Sequence, residues 1–314
     1  TTIDEVGMIA SHRFPMYKPL PDKLDLDYLL YYFQSPRGKS LLNLTSPGGA
    51  GRNKTLGKEA FQNLVIPLPP IYEQRKIASM LSTWDTTIDL TQRLIAAKQQ
   101  RKKGIVQQLL SGKKRLGEFL FPISSGLWQT LKFAEFAELQ SRKFVASNGI
   151  AYPCIELEHI ERETGRIIGH TLADKQKSAK NFFQAGQVLF GKLRPYLKKY
   201  ARPDFDGVCS SEIWVLSGKA DLCDDEYLFY LVQAPGFIGA ANVTSGTKMP
   251  RADWKKVAET VFELPSLIEQ NMIVRVLRAC DAEIILLARK LAVLRKQKKG
   301  LMQKLLTGEV RVKV

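Results

Sequence analysis

The sequence predicts an α+β chain. Two modules, each a mixed and mostly antiparallel β-sheet with short helices, are separated by two long helices that pair as an antiparallel coiled coil. Three observations carry this reading. Two basic stretches hold almost the whole net charge. Those stretches are copies of each other with three-four apolar spacing. The segment between them consists of short β-rich runs parted by turn residues.

Size and charge set the limits. A chain of 314 residues has room for two domains with their own cores. Lys and Arg number 8 against 6 Asp and Glu over residues 1–72, and 18 against 17 over residues 119–268. The balance is 10 against 3 over residues 73–115 and 11 against 4 over residues 269–314, so these two stretches supply +14 of the net +16. Basic charge gathered in this way meets a polyanion, nucleic acid above all; solvated helix faces are the plainer alternative. No apolar run reaches the roughly 18 residues of a membrane span. The first twenty residues lack the basic-then-apolar pattern of a signal peptide. Cys154, Cys209, Cys223 and Cys280 are far apart and form no C-x-x-C, which fits reduced thiols in a cytoplasmic protein. The chain starts at Thr1 rather than Met, so its native N-terminus is expected to be missing.

Residues 1–68 read as a partial first module. LDYLLYYFQSP (Leu26 to Pro36) matches EYLFYLVQAP further on, and VGMIASHRFPM lines up with DGVCSSEIWVL. Residue 1 thus corresponds to about residue 200, and the module is expected to lack about its first 80 residues. Within it, GGAGRNKT (Gly48 to Thr55) matches the phosphate-loop pattern G-x-x-x-x-G-K-[ST] except that Asn53 replaces the second glycine. A phosphate loop follows a buried strand and opens a helix. Here LLNLTSP precedes it, read as a weak strand with a proline, and LGKEAFQNLVIPLPP after it is too short for that helix. The later counterpart TSGTKMPRADWKKV lacks the glycines but keeps Ser-Gly-Thr-Lys. Both copies therefore present a small basic loop suited to DNA phosphates and base edges, with a surface turn as the alternative.

Residues 69–116 read as the first long helix, entered through Pro70, where a proline sacrifices no internal hydrogen bond. Its apolar seam is Ile77, Leu81, Trp84, Ile88, Ile95, Ile105 and Leu109, interrupted by Thr91, Lys98 and Lys102. Ser111-Gly112 ends it. Some 38 residues at about 1.5 Å each make a rod of roughly 57 Å.

Residues 117–264 read as the second module. GQVLFGKL, GVCSSEIWVL and AYPCIELEHI are its β-rich runs, with Pro153, Gly165, Gly186, Pro195, Pro203 and Gly207 among the turn residues. The short helix DEYLFYLVQAP follows them.

Residues 265–314 repeat the first long helix at an offset of 196, with PLPPIYEQRKIASML aligning without a gap on ELPSLIEQNMIVRVL. Glu73/Glu269, Gln74/Gln270, Ile77/Ile273, Leu81/Leu277, Asp85/Asp281, Ile88/Ile284, Gly104/Gly300, Gln107/Gln303 and Leu110/Leu306 are identical pairs. Ser266 stands three residues before Glu269 as a capping box, and Thr307-Gly308 closes the helix. The seam is Ile273, Leu277, Cys280, Ile284, Leu287, Leu291, Leu294, Leu301 and Leu305, interrupted by Lys298. Two-fold pseudo-symmetry within one chain favours antiparallel pairing. Gly104 and Gly300 cost about 1 kcal/mol each relative to alanine and mark a close helix approach, a partner site or a slight kink.

The arrangement resembles the DNA specificity (S) subunit of type I restriction-modification systems, the HsdS family. The resemblance rests on the ordered set IPLPPIYEQRKIASML, KKGIVQQLLSGK, VLFGKLRPYLKKYARPDFDGVCSSEIWVL and KKGLMQKLLTG, and it covers essentially the whole chain. It implies two target recognition domains, each reading half of a bipartite DNA site in the major groove. The paired helices would set the spacing and dock two methyltransferase (M) subunits, with restriction (R) subunits joining through them. The chain itself would be non-catalytic, with S-adenosylmethionine, ATP and magnesium on partner subunits and a flipped adenine methylated in each half-site. The shortened first domain departs from the pattern. A half-length form pairing on a symmetric site, a non-specific coiled-coil scaffold for nucleic acid or assembly, and an enzyme whose catalytic part lies upstream are the alternatives.

The DNA-binding candidates are Arg52, Asn53 and Lys54 in the first loop, Lys192, Arg194, Tyr196, Lys198 and Lys199 around one turn, and Ser245, Thr247, Lys248 and Arg251 in the counterpart loop. His12 and Arg13 stand at the repeat positions of Ser211 and Glu212, as suits two modules reading different bases. His159 and His170 show no metal spacing with Cys154, and His159, flanked by acids, reads as a surface residue. Asp206 and Glu212 are a carboxylate pair only by nearness in sequence. No nuclease cluster, S-adenosylmethionine motif or helicase motif is present.

Overall fold

The computed structural model describes residues 7, 9, 16–20, 22–46, 56–116, 128–144, 152–173, 179–245 and 249–312. Contacts divide the chain into two compact units, residues 1–96 with 285–314 and residues 97–284. Each long helix contributes to both.

In the first unit, α1 (Leu26–Gln34) is capped by Asp25, whose carboxylate accepts the Tyr28 N–H. Ser35 ends α1 and caps α2 (Pro36–Leu44), its hydroxyl accepting from Gly38 N–H, with Pro36 preset for the first turn. Gly38 is required here, because a Cβ at this position would lie 2.1 Å from the Tyr32 carbonyl oxygen. This cap and proline carry helix through Leu44, so LLNLTSP does not form the expected weak strand. Further on come α3 (Lys58–Gln62) and the long α4 (Ile71–Leu110). Among the described residues before α4, all regular structure is helical. Tyr28, Tyr32, Ile77, Ala78, Leu81, Leu305 and Leu306 form the core of this unit.

The second unit starts within α4 and continues through β1 (Gln129–Lys132), α5 (Phe133–Phe136), β2 (Ala137–Gln140), β3 (Lys143–Phe144), β4 (Pro153–Ile155), β5 (Thr171–Leu172) and β6 (Lys180–Phe183). Then follow β7 (Val188–Gly191), β8 (Tyr200–Ala201), β9 (Gly207–Cys209), β10 (Ile213–Gly218), α6 (Asp225–Leu231), α7 (Pro235–Ala241), β11 (Thr244–Ser245), β12 (Arg251–Ala252), α8 (Trp254–Ala258), β13 (Val261–Leu264) and the long α9 (Leu267–Thr307). One sheet has the order β3-β6-β9-β4-β5, another β2-β10-β7-β8, and β1–β13 and β11–β12 are separate pairs. Only β4–β9 is parallel among these pairings.

Strand β10 explains the apolar run IWVL. Trp214 and Leu216 enter one core with Phe133, Phe190 and Phe237, while Ile213 and Val215 enter another with Ile155, Phe183 and Leu189. A strand buried on both faces is apolar at every position, not at alternate ones.

Within the first unit, α4 Glu73 meets Arg311, and α4 Asp85 meets α9 Lys298. Within the second, α4 Lys98 meets α9 Glu283 and Lys102 meets Asp281, each at 2.6 Å. In both units one number rises as the other falls, so the helices run antiparallel. Ile77, Leu81, Ile273 and Leu277 are fully buried at their respective module cores. Trp84, Ile88, Ile95, Ile284, Leu287, Leu291 and Leu294 are half-buried along the seam. The expected interruptions are reinterpreted: Lys98, Lys102 and Lys298 are ion-paired, and buried Thr91 donates its hydroxyl to the Thr87 carbonyl at 2.7 Å. At Gly104 and Gly300 a Cβ would meet nothing within 4 Å, so neither glycine serves a close helix approach among the described residues.

One glutamine fastens each module to its helix. Gln74 Oε1 accepts the Asp25 N–H at 2.9 Å, and its Nε2 donates to Lys23 and Pro69 carbonyls. Gln270 does the same with Asp224 N–H, Leu222 and Pro265. The neighbouring carboxylates also have matching tasks. Glu73 accepts from Arg311 and the Val312 N–H, and Glu269 from the Leu116 N–H and Trp128 Nε1. The predicted capping box is therefore modified. Ser266 Oγ accepts the Glu269 N–H at 3.4 Å, but the Glu269 carboxylate is drawn into the module.

Candidate nucleic-acid interface

The turn after β7 is stitched on both sides. Lys192 N–H donates to the Glu212 carbonyl at 2.9 Å, and the Lys192 carbonyl accepts Ala252 N–H at 2.9 Å. Leu193 bridges Arg251, and Arg194 N–H donates to the Pro250 carbonyl at 2.7 Å. Arg194 and Lys198 both have left-handed backbones, φ 53° and 49°, and bracket the 3-10 turn Pro195–Leu197. Such a conformation costs a non-glycine residue roughly 1–2 kcal/mol, and the surrounding hydrogen bonds hold it.

This geometry sorts the basic residues. Arg194 and Tyr196 are exposed and Lys192 half-exposed. Among the described residues, neither Lys192 nor Arg194 has a carboxylate partner. Lys198 Nζ lies 3.1 Å from Glu163, which also receives Lys103 at 2.8 Å. Hydrogen bonds from Lys103 and Lys198 hold the Glu163 carboxyl below its usual range. Lys199 turns inward: its Nζ donates to the Leu157 carbonyl at 2.5 Å, and burial, then Arg162's charge, lowers its pKa.

Pairing of β11 with β12 sets Ser245 opposite Arg251, and the Leu193 bridge brings this hairpin beside the turn. Lys192, Arg194, Tyr196, Ser245 and Arg251 thus gather from three places in sequence. Arg251 Nε lies 3.0 Å from Glu212 Oε2, and its Nη2 lies 3.2 Å from Oε1. Glu212 was missed as its partner because 39 residues separate them and no spacing rule joins a strand start to a distant hairpin. Asp206 is occupied elsewhere, accepting the Ala185 N–H. His159 is also corrected: only 13% of its side chain is exposed, and its Nδ1 accepts the Glu156 N–H. Thr247, Lys248, Arg52, Asn53, Lys54, His12 and Arg13 lie outside the described residues. The flanks of the first loop are described: Gly57 N–H donates to the Thr45 carbonyl, and a helix, not the strand of a phosphate loop, precedes it.

A family model described as the type I restriction modification DNA specificity domain matches residues 1–98 and 126–296. The chain belongs to that family. The specificity subunit of type I restriction enzyme MjaVIII, from Methanocaldococcus jannaschii, is 26% identical over 310 residues, covering 90% of this chain and 71% of its own. The Escherichia coli EcoDI specificity subunit is 34% identical over 154 residues, 47% of this chain and 33% of that protein. The fold is shared with the type I S subunit from M. genitalium, with a TM-score of 0.56 at 15% identity over 91% of this chain and 73% of that one. A chain from a structure concerned with complex assembly and conformational transition of the type I R-M system gives 0.53 at 18%, over 92% and 72%. As an HsdS family protein, the chain has in each unit the long-helix pairing that its repeat foretold. Among the described residues no helix is long and apolar enough to cross a membrane, and no group of three His, Cys, Asp or Glu is placed to hold a metal.

Proposed function

We propose that this specificity-family chain reads a bipartite DNA target, one half per module, and docks methyltransferase subunits on its long helices while doing no chemistry itself. The observation that supports it most is the repeated anchorage: Gln74 and Gln270 fasten the two modules to equivalent helix starts through equivalent backbone groups. A duplicated mount argues for two mounted readers. The proposed domains are 1–68 and 117–264 for recognition and 69–116 and 265–314 for the helices. In the second module the reading surface is Lys192, Arg194, Tyr196 and Arg251, where cations for phosphates and an exposed aromatic stand on a hydrogen-bonded frame. For partner docking, Leu90, Leu94, Leu286 and Val293 in the first unit are exposed apolar side chains on the two long helices, flanked by Arg289, Lys290 and Lys296. They suit an amphipathic helix with acidic flanks. S-adenosylmethionine, ATP and magnesium belong to the partner subunits in this proposal.

Selection from random duplex DNA, with the chain bound to a methyltransferase subunit, tests the reading. A two-part motif with a fixed gap is expected. Retention of no motif would reduce the chain to a scaffold, and a palindrome would mean paired second modules.

A further inference from the structure

We propose that Arg251 reads a guanine in the half-site of the second module and that Glu212 is the positioning residue that aims it; this rests on the DNA-reading function above. The guanidinium has one edge formed by Nε and Nη2 and an outer end formed by Nη1 and Nη2. Glu212 takes the first, with Nε at 3.0 and 3.2 Å from its two oxygens and Nη2 at 3.2 Å from Oε1. Nη1 has no partner among the described residues, and the Arg251 side chain is 45% exposed. The outer end can therefore give two parallel N–H bonds, the pattern that matches guanine O6 and N7.

The frame supports aiming. Arg251 is fixed at its backbone by Ser245 and by Leu193, and Glu212 by the bond from Lys192 N–H. A carboxylate beside Lys192, Arg194 and Arg251 repels phosphate and weakens sequence-blind binding, so its presence is explained by orientation rather than affinity. The repeat separates this pair from the pairs that hold the fold. Asp85–Lys298 and Asp281–Lys102 recur in both units. In sequence Glu212–Arg251 has no counterpart in the repeat: His12 and Arg13, neither of them a carboxylate, stand at the position of Glu212, and Thr55 at that of Arg251 when α3 is aligned with α8. A tie needed by the fold would be found twice, whereas a reader differs between half-sites.

The experiment is random-duplex selection with the full chain and its methyltransferase subunit, for the wild type, Arg251→Ala, Arg251→Met, Glu212→Ala and Glu212→Gln. Both Arg251 variants should lose the preference for guanine at one position, by roughly 10- to 100-fold, with the rest of the motif intact. Arg251→Met keeps the length of the side chain without its donors, so it decides the matter even where Arg251→Ala fails to fold. The Glu212 variants should lose discrimination at that same position without losing affinity for mismatched DNA. Replacing that guanine by 7-deazaguanine should weaken the wild type and leave Arg251→Met unchanged. An unchanged motif in the Arg251 variants would overturn the inference. So would an even loss across all sequences with a salt slope shallower by about one, the mark of a phosphate contact. Failure of the wild type to select any motif would instead refute the underlying DNA-reading function.

Discussion

Lys102 Nζ lies 2.6 Å from Asp281 Oδ1, and the other oxygen of Asp281 accepts the Tyr230 hydroxyl at 2.9 Å. In the first unit the roles of the long helices are exchanged: Lys298 of α9 binds Asp85 of α4, which accepts Tyr31 at 2.8 Å. Each ammonium also lies over its tyrosine ring, at 5.4 Å for Lys102 and 5.1 Å for Lys298. One aspartate thus joins a module helix to both long helices in each unit.

The Lys102–Asp281 pair should contribute more than a surface pair. Their side chains are 14% and 28% exposed, against 76% and 54% for Arg93 and Asp89. Double-mutant cycles to alanine should give a coupling of about 1 kcal/mol or more for the first pair and about 0.3–0.5 kcal/mol for the second, read by urea denaturation.

Gln270→Ala should destabilise the second unit by about 2–4 kcal/mol, because it strands the Asp224 N–H and the Leu222 and Pro265 carbonyls around a fully buried side chain. Amide exchange at Asp224 should quicken. Native stability with unchanged exchange would contradict the anchoring role.

Acid should loosen the first unit through Glu73. The hydrogen bond from Arg311 holds its carboxyl below the usual range, opposed by burial. A depressed folded pKa stabilises above the unfolded value, near 4.3, and that stability is lost as pH falls through the folded value. Glu73→Gln should flatten this part of the pH–stability curve, as should Arg311→Ala.

Arg194→Ala and Lys192→Ala should leave thermal stability unchanged and weaken DNA binding, each lowering the salt slope by about one if it meets a phosphate. Full affinity in either variant would remove that residue from the interface.

Leu286→Glu should abolish methyltransferase retention with the fold intact, since Leu286 is 67% exposed. Leu291→Glu, at the half-buried seam, should lower stability as well. Normal pull-down by Leu286→Glu would place docking elsewhere.

The repeat made much of this legible in advance. The presence of two long helices, their antiparallel pairing within each unit and the Gln74/Gln270 identity follow from local periodicity and self-comparison. Lys102 and Lys298 looked like faults in the seam because periodicity weighs only hydrophobicity, although their shared repeat position was a usable signal. The inward turn of Lys199 was hidden because it depends on the left-handed backbone at Lys198. The extension of helix to Leu44 was hidden because the cap at Ser35 outweighs the strand-like look of LLNLTSP.

Among the described residues, the side-chain hydrogen bonds of the glutamine mounts go to main-chain atoms of their modules and of the preceding prolines. Such bonds are indifferent to which side chains a module carries. A foreign reading module with the same chain path could be grafted onto either helix start without redesigning the joint, so a new specificity could arise by exchange of whole modules.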